Sequence, residues 1–270
     1  MSEIPDNTLS TLERLLHALA PVRIAVSGGV DSMTLAILAG RTLGIQAMML
    51  HAISPAVPAE ATQRVEAVAR REGWALHLVD AGEFGDEAYL ANPYDRCFHC
   101  KTHLYAALAR VDADVMLSAT NTDDLDDYRP GLRAASDHRV RHPFVEAGVD
   151  KRGVRALCRQ LGYSEIAELP AAPCLSSRIE TGIRIQAAAL AFVHRVEREL
   201  GEALHPEVVR CRIRQDAVAV ELDEAALQNL RNGAGQGWRE RIAGLAHACG
   251  LPDAISFEPY RRGSAFVADR

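Results

Sequence analysis

Two stretches of this 270-residue chain carry residues spaced for chemistry. In "AVSGGVDSMTLA", Ser27, Gly28, Gly29, Val30, Asp31 and Ser32 stand between an apolar run ending at Val26 and a second apolar segment. Two glycines let the backbone take φ > 0 and approach an anion closely. A helix starting just behind them directs free N–H groups and the positive end of its dipole at the same point. Ser27 and Ser32 add hydroxyl donors, and Asp31 is placed to hold a magnesium ion that bridges phosphates. A glycine turn capped by Asp or Ser is the plain alternative, but strand, turn and helix are all in place, which favours phosphate. No Gly-Lys-Ser/Thr ending is present, so this is not the P-loop that transfers a γ-phosphate. The second stretch, "NPYDRCFHCK", sets Cys97 and Cys100 two residues apart. Alone, such a pair is a redox couple, half of a zinc site, part of an iron–sulfur site, or two ordinary cysteines.

Three further groups stand out. "SATNTDDLDDYRPG" holds Asp123, Asp124, Asp126 and Asp127. Acidic runs are usually solvated turns, but this one leaves the carboxyl end of a predicted parallel strand, where open α/β sheets bind ligands. In "AGVDKRGVRALCRQLG", Asp150 is a predicted N-cap and Lys151 begins the helix; a lysine there opposes the helix dipole unless an anion lies nearby. In "APCLSSR", Cys174 lies in a Pro-flanked polar loop, a poor place for the burial that most free cysteines undergo. Arg178, four residues on, favours its thiolate. Cys158 and Cys249 fall on amphipathic helices and are assigned to the core.

"VVRCRIR" carries an argument of its own. Alternate residues of a strand share a face, so Val209, Cys211 and Ile213 point to the core and Arg210, Arg212 and Arg214 to the other side. Guanidinium groups about 7 Å apart repel unless anions or carboxylates come near. The plain alternative is an edge strand protected by basic residues.

The elements that must position these groups alternate. A helix over Thr8–Ala20, with Leu9, Leu12, Leu15, Leu16 and Leu19 on one stripe, precedes the strand "VRIAV". Then come a helix to about Leu43, the strand "IQAMMLHAI", a helix in "PAEATQRVEAVARREG", the strand "WALHLVD", a helix through "HLYAALARV" and the strand "DVMLSAT". Strand–helix alternation predicts a parallel sheet flanked by helices. The short continuous apolar runs predict strands covered on both faces. Near residue 170 the texture changes to "ELPAAPCLSSR", a loop at a boundary. Beyond it a helix over Gln186–Gly201, two strands with a tight turn at Gln215–Asp216, more helices and a last strand predict a smaller α+β domain. The expected division is 1–178 and 179–270.

Composition is ordinary for a globular protein, with 48% hydrophobic and 24% charged residues. No apolar run approaches the roughly 18 residues of a membrane span, and the polar start "MSEIPDNTLS" is not a signal peptide. Six cysteines at irregular spacings do not form a disulfide framework, so a cytoplasmic location is expected. A net charge of −6 and a pI near 5.9 argue against nucleic acid as a partner.

The S-G-G-x-D-S loop resembles the pyrophosphate loop of the ATP pyrophosphatases, the adenine nucleotide α-hydrolase-like enzymes, which implies ATP cleaved between its α and β phosphates. Taken with "NPYDRCFHCKTHLY", "TNTDDLDDYRPG", "AGVDKRGVRALCRQLG" and "APCLSSRIETG", the chain from about residue 21 to 214 resembles the LarE-type sulfur transferases of nickel-pincer nucleotide biosynthesis. That resemblance implies a pyridinium-3,5-biscarboxylic acid mononucleotide substrate whose carboxylates are adenylylated and converted to thiocarboxylates. It implies ATP and magnesium held by Ser27, Gly28, Gly29, Asp31, Ser32, Asn121, Asp124 and Lys151, and substrate held by Arg178, Arg212 and Arg214, with Arg210 extra. It implies that Cys174 delivers sulfur or that Cys97, Cys100 and Cys174 together hold a [4Fe–4S] cluster, with sulfide or a cysteine desulfurase as donor. A homo-oligomer is expected.

Single-cysteine members of the family consume their cysteine with the aid of a glutamate. That position falls at Leu200 here, with Glu197 and Glu199 close by. A tRNA thiolase with the same loop and a non-enzymatic nucleotide- or metal-sensing protein are the competing functions. No zinc-ribbon spacing supports the thiolase.

Overall fold

A computed structural model describes residues 7–110, 115–125 and 130–267. Asp126 and Asp127 of the acidic run lie outside the described residues, as do the first six and last three positions. In chain order the elements are α1 (Asn7–Leu19), β1 (Val22–Ala25), α2 (Val30–Leu43), β2 (Ala47–Ile53), α3 (Ala59–Glu72), β3 (Ala75–Asp80), α4 (Glu87–Leu90), α5 (Arg96–Leu108) and β4 (Val115–Leu117). They continue with α6 (Pro130–Asp137), α7 (Pro143–Glu146), α8 (Lys151–Gln160), α9 (Ser164–Ala167), α10 (Ala187–Leu204), β5 (Val209–Ile213), β6 (Val218–Leu222), α11 (Glu224–Asn229), α12 (Gly235–Ala248) and β7 (Ile255–Pro259). Two compact units form, Met1–Glu83 with Cys97–Ala172, and Phe84–Arg96 with Pro173–Arg270.

The first unit is built on a parallel sheet of order β3-β2-β1-β4. Period-two alternation sends Val22 and Ile24 of β1, Ala47 and Met49 of β2 and Leu117 of β4 into one apolar cluster. Leu50 and Met116 enter a second cluster with Tyr105 and Leu108 of α5 and Ala134 and Ala135 of α6. Arg23 falls between the apolar positions of β1; it is buried and donates through Nη1 to the Leu108 carbonyl at 2.8 Å. α2 is apolar nearly all round, from Val30 to Leu43, as a helix packed on several sides must be.

β3 departs from the expectation of strands covered on both faces. It is an edge strand, as β4 is at the opposite side of the sheet, and its Leu78 is 46% exposed. A continuous apolar run identifies a strand but not its neighbours.

The second unit holds a mixed sheet of order β5-β6-β7, with β6 antiparallel to β5 and parallel to β7. The hairpin turns at the expected place, closed by Arg214 N–H donating to the Ala217 carbonyl at 2.9 Å. Residues 84–96 belong to this unit because the buried Asn92 ties them there. Its Nδ2 donates to the carbonyls of Glu180 at 2.8 Å and Ile183 at 3.0 Å, and its own carbonyl accepts from Gly182 N–H at 2.9 Å. Cys158 is buried as expected, but Cys249 lies one residue past α12 and is only half-buried. The amphipathic stripe of α12 ends before it, so it is not a core residue. Among the described residues no helix is long and apolar enough to cross a membrane.

α2 and α3 are clamped by one acid. Glu72 accepts from Arg41 Nη2 at 2.8 Å and Nε at 2.9 Å, and from the Tyr163 hydroxyl at 2.6 Å. The Arg41 hydrogen bonds lead in holding the Glu72 carboxyl below its usual range, and burial with Glu72 pushes the Tyr163 phenol up to about 12. A depressed carboxylate stabilises above its unfolded pKa of about 4.3 and loses that contribution as pH falls through the folded value. Glu72→Gln is therefore expected to lower the unfolding free energy at pH 7 by about 1–3 kcal/mol, read in urea. It is also expected to flatten the loss of stability below about pH 4.3. An unchanged acid limb in urea titrations at stepped pH counts against the clamp.

Candidate functional site

Strand order places the first site. The chain moves from β1 to β2 to β3 and then returns to the other side of β1 with β4. At such a reversal the loops leaving the carboxyl ends of the two adjacent strands diverge and open a crevice. Ser27–Ser32 leave β1 there, and Asn121–Asp124 leave β4.

The glycine loop is tightly specified at one of its two glycines. Gly28 has φ +82°, and a Cβ there would lie 2.8 Å from the Ala61 carbonyl oxygen of α3. Gly29 is the N-cap of α2 with φ −82°, and a Cβ would meet only Ser27 Oγ at 3.6 Å. The expectation that both glycines supply φ > 0 is thus corrected. Behind the turn the hydroxyls are organised: Ser27 N–H donates to Ser32 Oγ at 3.0 Å, Ser32 Oγ donates to the Gly29 carbonyl at 3.1 Å, and the two hydroxyls lie 3.0 Å apart.

Asp31 gathers the rest. Its Oδ2 lies 2.5 Å from Lys151 Nζ, and its Oδ1 accepts from Asn121 Nδ2 at 3.3 Å. Asn121 is buried, and its N–H donates to Asp124 Oδ2 at 3.2 Å. Lys151 N–H reaches Asp123 Oδ2 at 3.4 Å, and Asp150 caps α8 by accepting from Gly153 N–H at 2.7 Å. Residues from α2, the β4 loop and α8 therefore meet, 120 positions apart at the extreme. The anion near Lys151 that the sequence demanded is, within the chain, Asp31. Asp31 supplies hard oxygens of the kind magnesium takes, with Asp123 and Asp124 close by.

The second unit carries the Cys174 loop. Cys174 is exposed and precedes a 3₁₀ turn over Leu175–Arg178. Arg178 is 4% exposed in its side chain and forms a two-bond pair with Glu197, Nε and Nη2 each at 2.9 Å. Its Nη1 donates to the carbonyls of Pro173 at 2.6 Å and Cys174 at 3.2 Å, and to Ser177 Oγ at 3.0 Å. Its donors hold the loop backbone and Glu197 rather than the sulfur. Tyr89 and Ser176 hydroxyls lie 2.7 Å apart and pin the same turn.

The arginines of β5 have carboxylates of their own. Arg212 is buried, pairs with Glu221 at 3.0 Å and donates to the Ser177 carbonyl at 3.0 Å. Arg214 lies one residue past β5 and takes Glu258 at 2.9 Å and Glu221 at 3.7 Å. Arg210 is desolvated, which pushes its pKa down. Cys211 is buried, and burial raises its thiol well above the ordinary value. Sequence reasoning missed Glu197, Glu221 and Glu258 as partners. A lone acid inside the apolar run "AVAVEL" was a signal for Glu221.

Leu200 is fully buried, which excludes it from chemistry. Glu199 bridges Arg195 and Arg241, and Arg241 leads in pulling its carboxyl down to about 2. Glu197 is the glutamate tied to the Cys174 loop.

Cys97 and Cys100 lie one turn apart on α5, in the first unit, and are half-buried. Cys174 belongs to the second unit. Two thiols on one helical turn suit two ligands of a cluster. Within either unit no group of three or more His, Cys, Asp or Glu gathers as a metal site among the described residues.

No protein-family model matches the chain. It is 35% identical over 227 residues to an uncharacterized protein of Synechocystis, covering 83% of this chain and 84% of that one. It is 29% identical over 225 residues to a pyridinium-3,5-bisthiocarboxylic acid mononucleotide synthase of Lactiplantibacillus plantarum, covering 81% of this chain and 80% of the synthase. An uncharacterized protein of Methanocaldococcus jannaschii is 24% identical over 205 residues, with 74% of this chain and 77% of its own covered.

Two pairs of substitutions test the geometry. Gly28→Ala strains φ and drives a methyl group into Ala61, at an expected cost of about 1–3 kcal/mol. Gly29→Ala has neither problem and is expected to change the thermal midpoint little. Glu197→Gln leaves the buried Arg178 charge uncompensated, so a loss of about 3–5 kcal/mol is expected. Glu199→Gln is expected to cost less, about 1 kcal/mol, because its partners Arg195 and Arg241 are both more than half exposed and keep their water. Equal losses for the two glutamates in urea unfolding would overturn the assignment of Glu197.

Proposed function

The chain belongs to the LarE-type sulfur transferase family, and on that premise we propose that it uses ATP to convert the carboxylates of pyridinium-3,5-biscarboxylic acid mononucleotide into thiocarboxylates. One observation carries the reading. Asp31, Asn121 and Lys151 converge beside the Ser27–Ser32 loop at the carboxyl ends of β1 and β4. That arrangement offers backbone N–H groups, hydroxyls, one cation and the Asp31 carboxylate, groups of the kind a magnesium-bound triphosphate requires.

The chemistry follows in two steps. A substrate carboxylate oxygen bonds to the α-phosphorus, and the bond from that phosphorus to the β-phosphate oxygen breaks, releasing pyrophosphate with the electron pair. Ser27, Gly28, Gly29 and Ser32 bind the leaving phosphates. Asp31 and Asp124 hold magnesium, which neutralises phosphate charge when bound. Lys151 passes from Asp31 to a phosphate oxygen when the nucleotide enters; at about one-third exposure it is free enough to turn. The acyl adenylate is a mixed anhydride. A sulfur nucleophile bonds to its carbonyl carbon, and AMP leaves with the C–O electron pair. Arg178, Arg212 and Arg214 frame the substrate's anionic groups.

For the sulfur source, the thiolates of Cys97, Cys100 and Cys174 would be the protein ligands of a [4Fe–4S] cluster, which would supply sulfide-level sulfur when bound. A second reading rests on Glu197. It is a carboxylate tied through Arg178 to the Cys174 loop, and suits a route in which Cys174 gives up its own sulfur and becomes dehydroalanine.

The test is to incubate anaerobically purified chain with ATP, magnesium, sulfide and the mononucleotide, followed by mass spectrometry of substrate and protein. Expected are pyrophosphate, AMP, thiocarboxylate product over several turnovers and about four irons per chain. Asp31→Ala is expected to abolish pyrophosphate release with the fold intact. A colourless protein that turns over once and carries dehydroalanine at Cys174 supports the second reading. ATP binding without pyrophosphate release in the wild type removes both.

A further inference from the structure

The strongest unassigned group is Arg64, on the side of α3 that meets the glycine loop. Its Nη1 donates to the Gly28 carbonyl at 2.8 Å. That carbonyl belongs to the loop's one left-handed residue. Two further contacts fix α3 against the same turn. Gly28 packs so closely on Ala61 that no side chain fits between them. His51, buried at the end of β2, has Nδ1 2.7 Å from the Val26 carbonyl and Nε2 2.9 Å from Thr62 Oγ1. A carbonyl only accepts, so Nδ1 carries the proton and Nε2 accepts from the Thr62 hydroxyl. Arg64 is thus held one turn beyond Ala61 on a helix that cannot drift from the loop.

Its charge is the unexplained part. A neutral donor would satisfy the Gly28 carbonyl as well. Arg64 is half-buried, and desolvation lowers its pKa, with Glu60 as the opposing charge. Lys151, the other cation of this site, is neutralised by Asp31 at 2.5 Å. Among the described residues no carboxylate lies at ion-pair distance from Arg64. A guanidinium carries five N–H donors in a planar fork suited to phosphate, and Arg64 directs one of them to the loop.

Resting on the reading of this loop as the nucleotide site, we infer that Arg64 binds the β- and γ-phosphates of ATP and stays on the pyrophosphate as it leaves. In adenylylation the α-phosphorus gains the carboxylate oxygen and loses the bridging oxygen, whose electron pair goes to pyrophosphate. Negative charge therefore grows on the departing group. A cation fixed in place before the reaction stabilises that charge without reorganising. Nothing in the sequence marks Arg64, which reads as one more polar position on an amphipathic helix.

The test uses the full-length chain with magnesium pyrophosphate and AMP as separate calorimetric probes. Arg64→Met is expected to weaken pyrophosphate binding about 10–100-fold, the loss of one charge-assisted contact, with AMP affinity unchanged. Arg64→Lys keeps the charge but not the fork and is expected to fall between the two. It also remains informative if the methionine variant does not fold. In turnover the lysine variant is expected to lose kcat more than it raises KM for ATP. A wild type that binds pyrophosphate, alongside variants that bind it equally well and differ only in thermal midpoint, leaves Arg64 a structural clamp and overturns the inference alone. A wild type that neither binds nor releases pyrophosphate removes the nucleotide reading and the inference with it.

Discussion

Parallel pairing of β1 with both β2 and β4 is the constraint on which the first unit rests. β1 is four residues long and flanked on each side, so its side chains must serve two apolar clusters at once. It has to be short and apolar, with Arg23 tolerated because a carbonyl at the end of α5 receives it. Because β4 returns beside β1, the loops after both strands share one edge. Everything proposed for the nucleotide follows from that topology. The glycine turn, Asp31 at the head of α2 and Asn121 after β4 meet without any one segment containing them all.

Charge pairing separates residues that hold the fold from residues able to exchange partners. Arg178 and Arg212 are buried, and each is matched to a carboxylate and to backbone carbonyls. A guanidinium removed from water without such partners would cost several kcal/mol, so these pairs are first a condition of folding around the Cys174 loop. Any substrate they receive meets a framework already neutral. The Asp31–Lys151 pair is different in kind. Both side chains are about a quarter to a third exposed, where an ion pair is worth about 0–1 kcal/mol. Such a pair opens at little cost when a phosphate arrives.

The cysteines divide by environment in the same way. Cys158 and Cys211 are buried, and burial pushes both thiols up, away from reactivity. Cys174 is exposed beside a turn whose backbone carbonyls are held by Arg178 and Arg212 and whose Ser176 hydroxyl is held by Tyr89. That combination, a free sulfur on an immobile loop, suits a group that must meet an acyl carbon.

Much of this was determined by local chemistry and so was legible in the sequence. Alternating apolar runs and helical stripes gave the parallel sheet, and Asp150 capped α8 as its position before Lys151 required. The S-G-G-x-D-S loop announced itself because φ > 0 and close approach leave only glycine at Gly28. What the sequence could not decide were pairings between distant segments. β3 looked like its neighbours, yet became an edge because a strand's own residues do not say how many partners it has. Arg178, Arg212 and Arg214 read as free cations, since the carboxylates that meet them lie between 7 and 44 residues away. Asp31 and Lys151 read as two separate motifs, and Arg64 as no motif at all. Spacing along a chain encodes helix faces and turns, whereas ion pairs and close backbone contacts form only once packing has brought the segments together.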